Sequence, residues 1–147
     1  LEQTGLAPQH LEIELTERVM MENTDDAVES LQRFKEMGIA IAIDDFGTGY
    51  SALSHLQLFP LTTLKIDKSF VQNIAKKNSI ALLHSIVGIA KSFELKVIAE
   101  GVETEEQLAV LDAIDCDELQ GYLFSRPIPS KQLEQGLRSG QFGSSSR

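Results

Sequence analysis

Basic residues, cysteines and long apolar runs are what this sequence has little of. Against 22 acidic residues stand 13 Lys and Arg, a formal charge of −9 over 147 residues. That balance argues against a nucleic-acid polymer or an anionic membrane as partner. A phosphorylated small molecule bound by such a chain needs metal ions to offset the charge. The single cysteine, Cys116, excludes an internal disulfide and a cysteine-based zinc cluster. It fits a reducing compartment and is expected to be an inert thiol. No stretch reaches the roughly 18 to 20 apolar residues of a membrane span, and no basic-then-apolar leader opens the chain. No membrane contact is expected from this segment, and the cytoplasm is the expected location. His10, His55 and His84 are too scattered to make a metal-binding pair.

What is present is an alternation of short Ile, Val and Leu runs with longer amphipathic stretches, the pattern of βα units on a parallel sheet. Strands are predicted at residues 10–15, 39–43, 63–66, 96–99 and 118–123. Helices are predicted at 24–37, with Gly38 just past its end, and at 80–93, with Asn78 and Ser79 as candidate N-caps. In the first of these Val28, Leu31 and Phe34 share a face. Thr104 and Gln107 have capping-box spacing ahead of a third helix, and Ser130 can cap a last one through Leu133 and Leu137. A short apolar helix is expected around 53–58. Residues 139–147 read as a disordered tail after one folded unit spanning 1–138.

In parallel α/β folds ligands bind at the C-terminal strand ends, and each predicted strand ends in a polar residue. These are Glu14 and Glu17, Asp44 and Asp45, Lys65 and Asp67, Glu100 and Glu103, and Gln120. From Glu14 the steps to Asp44, Lys65, Glu100 and Gln120 are 30, 21, 35 and 20 residues, around the roughly 30 per unit of a (β/α) barrel. Five strands cannot close an eight-stranded barrel, so the expected fold is α/β, either a partial TIM-type barrel or an open sheet. Glu14, Asp44, Asp45, Glu100 and Glu103 brought to one edge would repel one another unless protonated or bound to cations. They would make an oxygen-rich site for Mg²⁺ or Mn²⁺, with room for two ions and Lys65 to direct an anion. Solvated loop carboxylates are the bland alternative, and five successive strand ends weigh against it. Residues 45–51, Asp-Phe-Gly-Thr-Gly-Tyr-Ser, form a Gly-rich loop that reads as a lid or coupling loop. Its Asp-Phe-Gly triplet lacks the other parts of a kinase signature.

Read together, Glu12-Ile13-Glu14-Leu15-Thr16-Glu17, Asp44-Asp45-Phe46-Gly47-Thr48-Gly49-Tyr50-Ser51, Leu64-Lys65-Ile66-Asp67, Ala99-Glu100-Gly101-Val102-Glu103 and Gln120-Gly121-Tyr122-Leu123-Phe124-Ser125-Arg126-Pro127 closely resemble the EAL domain family. The resemblance covers nearly the whole chain in five ordered motifs. It implies a bacterial cyclic di-GMP phosphodiesterase on a modified TIM barrel, using two Mg²⁺ or Mn²⁺ ions to yield linear 5′-pGpG. It makes Glu14, Asp44 and Asp45 metal ligands, Lys65 the group that orients water or phosphate, and Glu100 a general base or metal-associated carboxylate. Glu103, Gln120 and Asp67 would support substrate or the site's water network. Glu17 would anchor the 45–51 loop, which in this family links the site to dimerisation.

The family's Glu-Ala-Leu motif and its Asn ligand do not occur here, so the chain is expected to be the C-terminal part of one EAL domain, about the last five of eight strands. An opened barrel exposes strand edges, so self-association as a homodimer is expected. Activity is expected of the parent, with an upstream sensory or GGDEF-type domain, and not of this piece alone. The rival readings are a non-catalytic EAL-like receptor for cyclic di-GMP, a protein-interaction module, or another metal-using barrel enzyme.

Overall fold

The computed structural model describes residues 1–22, 25–47 and 56–140. A single turn of 3-10 helix at Pro8–His10 leads into β1 (Glu12–Thr16), α1 (Glu17–Glu22), α2 (Asp25–Glu36) and β2 (Ala40–Phe46). There follow β3 (Thr63–Ile66), α3 (Lys68–Gln72), α4 (Lys77–Ser92), β4 (Lys96–Glu100), α5 (Glu105–Ala113), β5 (Glu118–Gln120) and α6 (Ser130–Ser139). The five strands form one parallel sheet in the order β1-β2-β3-β4-β5. Sequential parallel order with intervening helices is the layout of a partial (β/α) barrel, as expected.

Strand alternation divides the sheet into two unlike faces. In register across the helix-covered side lie Leu15, Ile43, Leu64 and Val97, then Phe46, Ile66, Ala99 and Leu119. Most of these are fully buried and join Leu83, Ile86, Val87 and Ala90 of α4 and Leu111 of α5 in one core. Burying each such Leu, Ile or Val side chain contributes about 1.5–3 kcal/mol. The opposite, inner face carries Glu14, Ala42, Thr63 and Lys96 in one row, Lys65, Ile98 and Glu118 in another, and Glu100 beside Gln120.

Several element ends differ from the sequence reading, each for a local reason. The first strand starts at Glu12 rather than at residue 10, because Pro8 opens the 3-10 turn and the Leu11 N–H donates to the Pro8 carbonyl. The second runs on through Asp44 and Asp45 to Phe46, with a register shift against β3 that marks a bulge. The last strand stops at Gln120 instead of 123. A Cβ at Gly121 would stand 2.1 Å from the Val102 carbonyl oxygen, and the Leu123 N–H instead bonds that same carbonyl.

The helix predicted at 80–93 begins at Lys77, so Asn78 and Ser79 lie in its first turn, and Lys76 precedes it without a side-chain cap. Ser130 is the first residue of α6 rather than its cap, Pro129 standing before it. The same helix takes in Ser139 and ends on Gly140 in the left-handed conformation, so the folded chain extends past 138; residues 141–147 lie outside the described residues. Thr104 and Gln107 make the expected capping box. Gly38 follows α2 at φ 86°, while Phe34 on that helix stays exposed although Leu31 is buried. The short helix expected at 53–58, the loop from Thr48 onward, His55 and the Thr24 start of α2 fall at least in part outside the described residues. The short helices α1 and α3 had not been expected.

Candidate functional site

Lys65 stands at the centre of the inner face, and its position follows from the strand that carries it. β3 is buried along its whole length, so the alternate residues Leu64 and Ile66 enter the core and Lys65 must turn inward. Its side chain is 7% exposed, and its ammonium donates to Glu14 Oε1 at 2.6 Å and lies 2.7 Å from Glu100 Oε1. Asp44 Oδ1 is 3.4 Å away. β1, β2 and β4 therefore each send one carboxylate to the cation on β3. Burial alone would lower the lysine's pKa, but the hydrogen bonds to Glu100 and Glu14 and the charges of Glu100 and Asp44 outweigh it and hold the ammonium above its ordinary range.

Asp44 and Asp45 are successive, and a regular strand would point them to opposite faces. The bulge after Ile43 and a left-handed backbone at Asp45, φ 56°, break that alternation. Aspartate tolerates this conformation better than most residues. Burial raises the Asp45 carboxyl, the Asp44 and Asp67 carboxylates add to the rise, and Lys65 opposes it. Asp67 also caps α3, its Oδ1 accepting the Ser69 N–H at 3.0 Å. Burial would raise Asp67 too, but hydrogen bonds from Ser69 and Lys68 prevail and hold it below the ordinary carboxylate range.

Glu17, at the first turn of α1, is 5% exposed and accepts the Gly47 N–H on Oε2 at 3.3 Å. Gly47 sits at φ 93°, and a Cβ there would meet the Phe70 ring at 2.9 Å, so glycine is required where the loop leaves β2. Thus Glu17 holds the described start of the 45–51 segment.

Not every candidate joins the cluster. Gln120 is the register partner of Glu100 and stands exposed at the end of β5. It lines a groove of about 560 Å³ that runs beside β5 past Tyr122, Phe124 and Ile128 rather than over Lys65. Arg126 lies over the Tyr122 ring at 4.6 Å in that groove. Glu103 is exposed, and its backbone N–H bonds Gln107 Oε1 in the cap of α5. The Cys116 Sγ lies 3.4 Å from the Glu118 carbonyl oxygen, and burial pushes the thiol's pKa up to about 11, which disfavours the reactive thiolate. The inner-face residues Glu12 and Thr63 were passed over, although they precede Glu14 and Lys65 by two positions and so must share their face.

A divalent cation is tested by the donors present. Glu14, Asp44, Asp45 and Glu100 offer the hard oxygens that Mg²⁺ and Mn²⁺ prefer. Among the described residues Asp44 Oδ1 is buried with no hydrogen-bond partner, its nearest cation being the Lys65 ammonium at 3.4 Å. Among the described residues no three acidic, His or Cys side chains close into a metal cage by themselves. The donor chemistry fits a hard cation, with Lys65 adding positive charge beside the carboxylates.

Known proteins are similar to this chain in sequence and fold. The family described as the EAL domain matches residues 1–127. The chain is 48% identical over 143 residues to the cyclic di-GMP phosphodiesterase NbdA of Pseudomonas aeruginosa, covering 97% of this chain and 18% of NbdA. It superimposes on the structure of the PaMucR phosphodiesterase in complex with c-di-GMP with a TM-score of 0.85 at 42% identity, over 90% of this chain and 54% of that one. A manganese/cy-diGMP complex of Klebsiella pneumoniae BlrP1 aligns with a TM-score of 0.80 at 37% identity, over 86% of this chain and 33% of that one. The chain thus spans less than a fifth of NbdA and about half of the PaMucR chain. By its matched residues and its barrel-type parallel sheet, this chain belongs to the EAL domain family.

Proposed function

We propose that the protein to which this chain belongs hydrolyses one phosphodiester bond of cyclic di-GMP to give linear 5′-pGpG. The observation that carries this reading is the meeting of Glu14, Asp44 and Glu100 on Lys65 at the C-terminal strand edge of an EAL domain. Glu14, Asp44 and Asp45 would hold the divalent ions. Mg²⁺ or Mn²⁺ bound there would supply Lewis-acid stabilisation of the phosphoryl oxygens and make water a better nucleophile.

The chain's own groups do the rest. The Lys65 ammonium, raised above its ordinary range, stays charged through neutral pH and can face a phosphoryl oxygen as negative charge builds on it. Glu100 at the end of β4 would accept the proton of the attacking water. Gln120 beside it would orient water or substrate, and Glu103 and Asp67 would support the site from its rim. Glu17, through Gly47, would hold the loop after β2 against the site. In the parent an upstream sensory or GGDEF-type domain would govern access to the site.

The test is chromatographic separation of products after the full-length parent is incubated with cyclic di-GMP and Mg²⁺ or Mn²⁺. Linear pGpG that disappears with a chelator, and in Asp44→Ala and Glu100→Ala proteins, is the expected result. Intact cyclic di-GMP with measurable binding would make the protein a receptor, and near-normal rates in either variant would reject the assigned roles.

A further inference from the structure

β1 and β3 are not neighbours in the sheet, because β2 lies between them. Two interstrand spacings, about 9.5 Å, therefore separate their backbones. Two side-chain pairs nevertheless cross that distance on the inner face. Lys65 Nζ donates to Glu14 Oε1 at 2.6 Å, and below it Thr63 Oγ1 donates to Glu12 Oε2 at 2.8 Å. The crossings are offset alike. Glu12 is level with Ala40 and reaches Thr63, which is level with Ala42; Glu14 is level with Ala42 and reaches Lys65, two residues further along β3.

The sequence permits this only because β2 presents alanines there. Ala42 is fully buried beneath the two crossings, and a longer side chain at that position would stand in their path. Thr63 is itself 2% exposed, and the neighbouring Thr62 hydroxyl accepts the Ile41 N–H at 2.9 Å and donates to the Ile41 carbonyl at 3.0 Å. The start of β3 is thereby tied to β2 by Thr62 and to β1 by Thr63. β1 pairs in register with β2, and Thr63 adds a direct tie from β3 to β1; where one face of a sheet is buried, a slip of one residue would carry Glu14 to the wrong side.

We propose that Glu12 and Thr63 are a positioning pair. Their hydrogen bond fixes the offset of β1 against β3 and so keeps the Glu14 carboxylate within reach of Lys65. Neither residue touches the reacting atoms; both act through Glu14. The inference deepens the phosphodiesterase reading, since the contact it positions belongs to that site, yet it can be examined without turnover.

The experiment is competitive labelling of lysines in this chain with an amine-reactive reagent, read by mass spectrometry, with Lys91 on α4 as the internal reference. In the native chain Lys65, buried and hydrogen-bonded, is protected relative to Lys91, which is about half exposed. Thr63→Val should raise Lys65 labelling several-fold and leave Lys91 unchanged, whereas Thr63→Ser, which keeps the hydroxyl, should label as the native chain does. Glu12→Ala, at an exposed position that can be truncated without a cavity, should repeat the Thr63→Val result and carries the test if that variant does not fold. Native labelling of Lys65 in both Thr63→Val and Glu12→Ala overturns the proposal. So does a parallel rise at Lys91, which would make the pair general sheet support. Failure of the phosphodiesterase reading would appear instead as absence of pGpG from the parent, an outcome the labelling does not depend on.

Discussion

Leu64 and Lys65 are consecutive, both almost wholly buried, and belong to different worlds. Leu64 faces the helices and lies in a row of Leu15, Ile43 and Val97; Lys65 faces inward among three carboxylates. The same alternation runs through β1 and β4, where Ile13 and Leu15 flank Glu14, and Ala99 precedes Glu100. Parallel sheets are ordinarily apolar on both faces. Here the outer face does most of the apolar packing, with Ala42 and Ile98 added on the inner face, and the buried charge of Lys65 is met by carboxylates, as a buried charge must be. The lesson is that stability and chemistry are divided by a one-residue step along each strand, so neighbouring substitutions should fail in opposite ways.

The sharpest way to break that division is to cut back the outer face. Leu64→Ala should cost about 2–5 kcal/mol of stability, as a lost transfer term and a cavity in a rigid core. Urea denaturation would read it, and Lys65 should keep its protected state in the molecules that remain folded. Lys65→Met is the counterpart. In the full-length parent it should lower turnover of cyclic di-GMP about 100-fold or more, roughly 3 kcal/mol of lost transition-state stabilisation. In this chain it leaves Glu14, Asp44 and Glu100 without their shared cation. Added Mn²⁺ should therefore raise the melting temperature of Lys65→Met more than that of the native chain; equal shifts would argue that the carboxylates do not face a common point.

A smaller effect sharpens the boundary between site and scaffold at Asp67. Asp67→Ala removes the cap of α3 and should cost about 1 kcal/mol at neutral pH. Because the folded state holds this carboxyl below its ordinary range, its stabilisation is fully present above the unfolded pKa and is lost as pH falls through the folded one. The gap between Asp67→Ala and the native chain should therefore narrow in acid, as thermal melts across that range would show. Asp45 has the opposite sign: its raised carboxyl favours the protonated form in the fold, so Asp45→Asn should be more stable than the native chain at neutral pH and no more stable in acid. The smallest effect lies on the solvent side of α2. Glu29→Ala, which breaks the exposed pair with Arg33 at 2.6 Å, should change stability by no more than about 0.5 kcal/mol.

Much of the fold was legible because the strands are short apolar runs and the clearest signals are local. The runs at 63–66 and 96–99 fell on β3 and β4, and Thr104 with Gln107 announced the start of α5. What escaped was set by contacts between distant residues or by very short elements. α1 and α3 have too few residues for a helical period to show. The end of β5 depends on how closely Gly121 approaches the Val102 peptide, 19 positions earlier in the chain. The start of α4 at Lys77 has no capping side chain to mark it. Of the candidate site, Glu14, Asp44, Lys65 and Glu100 were readable as strand-end charges and are brought together, whereas Glu103 is drawn instead toward the cap of α5.

The sequence by itself determined the parallel α/β pattern, the excess of acid and the placing of polar residues at the strand ends, because apolar runs and the charges that close them are local properties of the chain. Only the tertiary structure decided that Glu14 and Glu12 reach across β2 to Lys65 and Thr63, and that the backbone at Asp45 takes the left-handed conformation. Those contacts depend on the register between strands, on the bulge after Ile43 and on the small Ala42 beneath them. Register and bulges are fixed by the packing of the whole sheet, which no single segment contains.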